Sequence, residues 1–287
     1  SAPSEQALGA LTRPRSLRFC NMHFPEPPPS RWELRWRMLG AEVRVQLLFG
    51  VSCVLTGVVY YQYPEVREQI GGLAAFFSWL AAVLVSLLTH EMGHILVARL
   101  FGVRPRVVLS GLGGRLFGLE TLRRWQVLLV LAAGPLMSFL LYGVFWLVTD
   151  PSAGGRLPLP RDWRVFLGPS LWLMMWINIF WCLLNVLPLW PLDGGRFAVE
   201  IGEAVLGRRG RTLALLLSLA VTLLLTLFVI VWAWVSLRNR FDPRYPVFFV
   251  YFCILSLYCY VFWLSAFRAL WGDSEKTEGT THERADI

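Results

Sequence analysis

Residues 81–97 read AAVLVSLLTHEMGHILV, an apolar run that is interrupted near its end by His90, Glu91 and His94. On a helix of about 3.6 residues per turn, the two histidines lie four residues apart and project from one face. Two imidazoles at this spacing can bind one zinc ion, and Glu91 beside them can act on a water molecule at the metal. Polar groups at membrane depth are costly unless they share a task, so this stretch indicates a buried metal site.

The composition predicts an integral membrane protein in contact with the lipid bilayer. Of the 287 residues, 56% are hydrophobic and 16% are charged, whereas ordinary soluble domains carry about 25% charged residues. The net charge of +8 would suit a nucleic-acid binder. However, the basic residues lie beside apolar segments, as topology signals do, and we therefore exclude nucleic acid as a partner. The cysteines have no metal or disulfide spacing and are interpreted as packing residues; they are Cys20, Cys53, Cys182, Cys253 and Cys259.

Six apolar segments predict an all-α polytopic membrane protein with about six transmembrane helices. We divide the chain into a cytoplasmic basic and proline-rich tail at 1–42, a membrane domain at 43–271 and a polar tail at 272–287. No signal peptide is expected before residue 43, because no apolar core with a cleavage site precedes it. The predicted spans are 45–61, 73–101, 127–148, 166–187, 213–237 and 247–270.

Two segments outside these spans have unusual composition. Residues 32–38 read WELRWRM, and two interpretations stay open: a short amphipathic stretch along the membrane surface, or a solvated linker. Residues 107–118 hold too many glycines for a stable helix and predict short extended pieces joined at Gly113-Gly114. Such backbone is tolerated near a membrane when protein or a wet cavity buries it, so we predict a β-like re-entrant segment after the second span.

A second motif ends the fourth span. Residues 185–196 read NVLPLWPLDGGR. The two prolines end the helix and the two glycines permit a sharp turn, so Asp193 is expected on an irregular segment. Asn178 and Asn185 lie seven residues apart and share one helix face.

The distribution of basic residues brings the two motifs to one side of the membrane. Counting Arg268 at the end of the last span with the residues outside the spans, 19 Lys and Arg residues lie on the side of the N-terminus and 7 lie on the other side. This asymmetry predicts a cytoplasmic N-terminus. The second and fourth spans then both run inward, and they carry the histidines and Asp193 towards the cytoplasm.

The number of available ligands limits the possible metal sites. The other histidines, His23 and His282, lie near the chain ends. A catalytic zinc needs about three protein ligands and an open position. Asp193 is the best third ligand because a rigid turn holds it at the depth of the histidines. The alternatives, which stay open, are Glu120, Glu200 and Glu203.

Together, His-Glu-Met-Gly-His and Asn-x-x-Pro-x-x-Pro-Leu-Asp-Gly-Gly resemble the motifs of the site-2 protease family of intramembrane zinc metalloproteases. The resemblance covers roughly residues 73–206. It implies one zinc ion per chain with three ligands, a catalytic base, and an asparagine that positions substrate or polarises its carbonyl. In that order, these residues are His90, His94 and Asp193, then Glu91, then Asn185.

The family's activity is hydrolysis of a peptide bond within or near a transmembrane segment of a membrane-tethered protein, as in regulated intramembrane proteolysis. The chain has no insertion long enough for a PDZ domain and no module large enough for a CBS pair. It is therefore similar to compact members such as the sporulation-factor processing protease, and a regulatory membrane partner stays unidentified.

Two other classes of protein are considered beside the enzyme. A non-catalytic zinc-binding membrane protein would have no use for Glu91. A metal transporter would carry ionisable residues in several spans and often show inverted repeats. The sequence favours the enzyme.

An unwound substrate would expose backbone groups, and the extended pieces at 107–118 offer a partner for it by strand addition. On this hypothesis, a proline at Val108 or Leu109 would impair cleavage by removing an N–H group.

Overall fold

The computed structural model describes residues 26–61, 67–68, 70–111, 113–149, 161–238 and 252–268. Seven helices and four strands lie within these ranges. In chain order they are β1 (Leu34–Met38), β2 (Ala41–Val45), α1 (Leu47–Tyr61), α2 (Gly72–Leu100), β3 (Arg106–Ser110), β4 (Gly113–Phe117), α3 (Arg124–Thr149), α4 (Arg161–Val186), α5 (Asp193–Leu206), α6 (Arg208–Arg238) and α7 (Phe252–Arg268).

The described residues are mostly helical, as predicted, but the all-α class needs correction because these residues also form a four-stranded sheet. Helices α2, α3 and α6 are long and apolar enough to cross a membrane. Helices α1, α4 and α7 contain shorter apolar stretches of described residues, so a total of six spans stays a prediction. Many large apolar side chains are exposed on the outer faces of the helices, for example Leu224 at 65%. Contiguous apolar surface of this kind suits a lipid environment.

Helix α2 lies at the centre of the helix assembly and packs against α1, α3 and α4. Its contact with α3 is close at Gly93, where an added Cβ atom would overlap the carbonyl group of Ala133. Its contact with α4 includes a buried hydrogen bond of 2.8 Å from Asn178 Nδ2 to Ser86 Oγ. These contacts hold the helix that carries both histidines in place.

The four strands form one sheet in the order β1-β2-β3-β4. Strands β2 and β3 are parallel, and the other two pairs are antiparallel. Residues 34–38 form the edge strand β1, so the interpretation as a linker is wrong. Whether this stretch lies on the membrane surface stays a prediction. The division of the chain at residue 42 stays a prediction, although the sheet attaches residues 34–42 to the residues that follow.

Arg44 on β2 ties the sheet to the segment before it. Its side chain is 5% exposed and donates hydrogen bonds to Glu33 at 3.0 Å, to Glu26 at 2.8 Å and to the Pro27 carbonyl at 3.0 Å. Glu26 also pairs with Arg106 on β3 at 2.8 Å. These ion pairs therefore connect the β1–β2 hairpin to β3 through side chains, in addition to the backbone hydrogen bonds of the sheet.

Residues 107–118 form the predicted extended pieces, but the predicted turn is misplaced. Ser110 pairs with Gly113, so Gly113 and Gly114 lie inside β4. The chain reverses before them, and Gly111 takes a φ of 60° in the left-handed region that glycine tolerates. Whether this hairpin re-enters the membrane stays a prediction. The predicted polar tail at 272–287 and residues 1–25 lie outside the described residues.

Candidate metal centre and active site

His90 and His94 project from α2 towards the same point. Both side chains are buried, and their Nε2 atoms lie 3.2 Å apart. Asp193 reaches this point from the start of α5, with Oδ2 at 3.0 Å from His90 Nε2 and 3.2 Å from His94 Nε2. The structure therefore brings Asp193 to a pair of histidines that precede it by about 100 residues in the sequence.

Asp193 is helical, which corrects the expectation of an irregular segment. It lies in the first turn of α5, after an extended N-cap at Leu192. Gly194 and Gly195 make this position possible, because added Cβ atoms would overlap the carbonyl groups of Leu187 and Leu189. The two glycines let the start of α5 pack directly on the chain that leaves α4.

The three ligand atoms fit the dimensions of a zinc site. Zinc bound tetrahedrally to nitrogen and oxygen at about 2.0–2.1 Å separates its ligand atoms by about 3.3 Å. The three separations of 3.0–3.2 Å are close to that value. Space beside the ring nitrogens is provided by Gly134 on α3, where a Cβ atom would overlap His94 Nε2 and lie 2.8 Å from His90 Nε2.

Helix α3 also fixes the orientation of both imidazoles. His94 Nδ1 lies 2.7 Å from the Val130 carbonyl, to which it donates, and His90 Nδ1 lies 3.1 Å from Ser138 Oγ. A donor at Nδ1 leaves the Nε2 lone pair of His94 directed at the centre of the cluster. Sequence reasoning missed Ser138 and Val130, and the isolated serine in an apolar span was the only available signal.

Glu91 is buried beside this cluster, with 3% of its surface exposed. Its carboxylate lies against β4, where a Cβ atom on Gly114 would overlap it. The glycine that the sequence assigned to a turn is therefore the position at which the sheet approaches the candidate catalytic base.

A cavity of about 890 Å³ lies between α3, α4, α5 and α6. Its lining is mostly apolar, and it includes both Asn185 and Asp193. Asn185 Nδ2 donates to the Trp181 carbonyl at 2.9 Å, which leaves one amide N–H of the two free to donate elsewhere. Asn178, the other asparagine on this face, instead bonds to α2 and does not belong to the cluster.

The alternative ligands do not join the metal cluster, which among the described residues contains His90, His94 and Asp193. Glu200 lies 3.4 Å from Arg124, and Glu203 pairs with Arg211 at 2.8 Å. Glu120 is exposed in the connection between β4 and α3.

Known proteins resemble this chain in sequence. Residues 163–229 match peptidase family M50. The Synechocystis protein sll0528, provisionally named a zinc metalloprotease, is 27% identical over 190 residues, or 61% of this chain and 48% of that protein. Rip3 of Mycobacterium tuberculosis, also provisionally named a zinc metalloprotease, is 32% identical over 166 residues, or 52% of this chain and 41% of that protein. The chain thus spans about half the length of the curated relatives it matches.

A solved structure shares the fold. The site-2 protease from Methanocaldococcus jannaschii superposes with a TM-score of 0.55 at 20% identity, covering 82% of this chain and 95% of that chain. The resemblance to site-2 proteases predicted from the two motifs is confirmed.

Proposed function

We propose that this chain is a zinc-dependent intramembrane endopeptidase of the site-2 protease type. The observation that carries the proposal is the convergence of His90, His94 and Asp193, whose ligand atoms lie within 4.8 Å of one another. The names of the relatives and the shared fold support it. The substrate is a membrane-embedded or membrane-tethered protein, and each chain binds one zinc ion.

Glu91 is the catalytic base in this proposal. The zinc ion that His90, His94 and Asp193 would hold would supply an activated water and polarise the scissile carbonyl group. Glu91 accepts a proton from the attacking water and delivers it to the leaving amide nitrogen. Its burial next to the cluster and beneath β4 excludes bulk water from this proton transfer.

Asn185 is positioned to help from the cavity side. Its free amide N–H can donate to the oxygen of the carbonyl under attack, since Asn185 and Asp193 line the same cavity. Loss of such a donor costs about 2.7–4 kcal/mol in enzymes where it has been removed.

Strand β4 is suited to hold an unwound substrate. It is the last strand of the sheet, so one of its edges has no strand beside it among the described residues. A two-residue connection makes Ser110 and Gly113 a hydrogen-bonded pair, and alternation then turns the N–H and C=O groups of Gly114 and Leu116 to the free edge. The Leu109 carbonyl accepts a hydrogen bond from Gln46 N on the other side of β3, and this direction is the one that the alternation requires.

The proline test expected at Val108 or Leu109 is misplaced. Both residues lie on β3, which is an interior strand between β2 and β4. A proline there would disrupt the sheet itself. The substrate edge belongs to β4.

We also propose that the N-terminus and the active site face the cytoplasm. The parallel pairing of β2 and β3 supports one part of this topology, because it requires the segments before α1 and after α2 to lie on one side.

The experiment that tests the function is Glu91→Gln in the purified full chain. We expect zinc content to stay normal while cleavage of a single-span substrate is lost, because an amide cannot accept the proton at neutral pH. Glu120→Gln, an exposed carboxylate outside the cluster, is the matched control and should cleave normally. Cleavage by Glu91→Gln would contradict the mechanism, and a zinc-loaded wild-type protein that cleaves nothing would favour the non-catalytic alternative.

A further inference from the structure

Arg115 on β4 is a partly buried cation that no described carboxylate contacts. Its Nη2 lies 3.4 Å from Ser110 Oγ, and its Cζ lies 5.1 Å from the ring centroid of Phe262 and 5.8 Å from that of Phe117. Its Nε has no hydrogen-bond partner, and it forms no ion pair with a described carboxylate. Burial lowers the pKa of Arg115, but a guanidinium stays charged in proteins.

A second arginine without an ion pair to any described residue lies nearby. Arg196 is on α5, three residues after Asp193, and its charge acts on both Glu91 and Arg115. The charge of Arg196 also acts on Glu200, whereas no described carboxylate pairs with Arg115, and an unpaired charge in a partly desolvated region is unfavourable for the free protein. Arrangements of this kind are typical of sites that bind the opposite charge.

The register of β4 defines where such a charge would lie. Gly114 faces Glu91, so the side chain of Arg115 leaves the opposite face of the strand. A substrate strand on the free edge would place one side chain directly beside Arg115, in an opposed cross-strand pair. In the substrate, that side chain belongs to the residue opposite Arg115, which is adjacent to the residue opposite Gly114.

We propose that Arg115, assisted by Arg196, selects substrates with a carboxylate on the residue that pairs with Arg115. This residue is adjacent to the substrate residue opposite Gly114. The inference rests on the proposed function and on substrate pairing with β4. The carboxylate belongs either to an aspartate or glutamate side chain or to a free chain end.

The test uses a designed single-span peptide whose cleavage site in the wild-type enzyme is first mapped by mass spectrometry. Aspartate is then placed at each of the positions around that site, and each peptide is compared with its asparagine equivalent. We expect kcat/KM to favour aspartate at one position by about tenfold, the scale of a hydrogen bond to a charged group. Peptides ending at that position as a free acid or as an amide distinguish a chain end from a side chain.

Variants of the enzyme show which arginine causes the preference for aspartate peptides. Arg115→Met keeps an apolar contact with Phe262 and should bring the ratio of kcat/KM for the aspartate and asparagine peptides to about one. Arg196→Met should weaken the preference, and Arg104→Met, at an exposed arginine, should leave it unchanged. Zinc content is measured for each variant to show that the metal site is intact.

Equal cleavage of aspartate and asparagine peptides at every position by the wild-type enzyme would overturn the inference, even if Arg115→Met failed to fold. A preference that persists in Arg115→Met would overturn it as well. Both results leave the proposed function standing, because that function fails only when the wild-type protein cleaves neither peptide.

Discussion

The chemistry of this protein depends on single atoms at the centre of the cluster. The three ligand-atom separations of 3.0–3.2 Å leave room for a metal ion and little else. Each ligand is therefore expected to contribute separately to zinc affinity, and each small neighbour is expected to be intolerant of added volume.

Asp193→Ala should weaken zinc binding without unfolding the helices. Outer partners of metal ligands alone are worth about 10–100-fold in affinity, so the loss of a direct ligand should exceed that. Zinc titration and thermal unfolding measure the two effects. Glu203→Ala, which removes only the ion pair to Arg211, should bind zinc normally. Full zinc occupancy in Asp193→Ala would remove this residue from the site.

Gly134→Ala should disturb the metal site from the neighbouring helix. The new methyl group would overlap His94 Nε2, so either the imidazole or α3 must move. We expect reduced zinc content in purified protein. Gly143→Ala is the matched control on the same helix, because nothing lies within 4 Å of an added Cβ there. That variant should be unchanged or more stable by up to about 1 kcal/mol, and equal zinc content in both variants would contradict the steric argument.

At this scale, spacing alone predicted His90, Glu91 and His94, because two histidines four residues apart must share a helix face. The turn motif predicted Asp193. The roles of Gly114 and Gly134 could not be predicted, since a glycine that accommodates a distant side chain carries no local signal.

Among the elements, β4 makes the most specific prediction. Substrate peptides that are N-methylated at successive residues should lose cleavage at alternate positions, because only every second N–H of a paired strand faces β4. Each affected position should reduce kcat/KM roughly two- to tenfold, the range of one hydrogen bond. A uniform effect along the peptide would rule out strand pairing and leave the metal site unaffected.

The β1–β2 hairpin should give the protein an acid-sensitive anchor. The hydrogen bond from Arg44 holds the pKa of Glu33 below its ordinary value of 4.5. A lowered carboxyl pKa contributes stability above the ordinary value and loses it as the pH falls through the lowered value. The wild-type protein should therefore exceed Glu33→Gln in Tm at pH 7, and the difference should shrink below about pH 4.5.

The matched control for this anchor is Glu42→Gln on β2, a carboxylate that forms no ion pair with a described residue. Its Tm should follow that of the wild-type protein across the same pH range. A difference between wild type and Glu33→Gln that is constant with pH would show that the ion pair does not contribute.

The helices were predictable from apolar length, whereas the sheet was only half predictable. Glycine content identified the extended pieces at 107–118. Strand β1 pairs with β2 in a local hairpin, so residues 32–38 were misinterpreted rather than unpredictable. The pairing of β2 with β3 could not be predicted, because two helices separate these strands. Pairing over such a distance is a tertiary effect that a local pattern does not record.

For the whole molecule, the sheet and the metal cluster connect the same helices in different ways. The sheet joins the start of α1 to the end of α2, and the cluster joins α2 to α3 and α5. The predicted location of the segments before α1 and after α2 on one side agrees with the first of these connections, whereas a cytoplasmic location of that side stays a prediction. Composition could predict the membrane class, but the lengths of the described apolar segments leave three of the six spans short.

The separation of 103 residues between His90 and Asp193 also has a consequence in time. At about 5–20 residues per second, a ribosome needs roughly 5–20 s to proceed from the first ligand to the last. Throughout that interval the histidines have been synthesised without their carboxylate partner. On the proposed function, hydrolytic capacity would arise only after Asp193 has been synthesised, and a shorter nascent chain would not cleave the proteins inserted beside it.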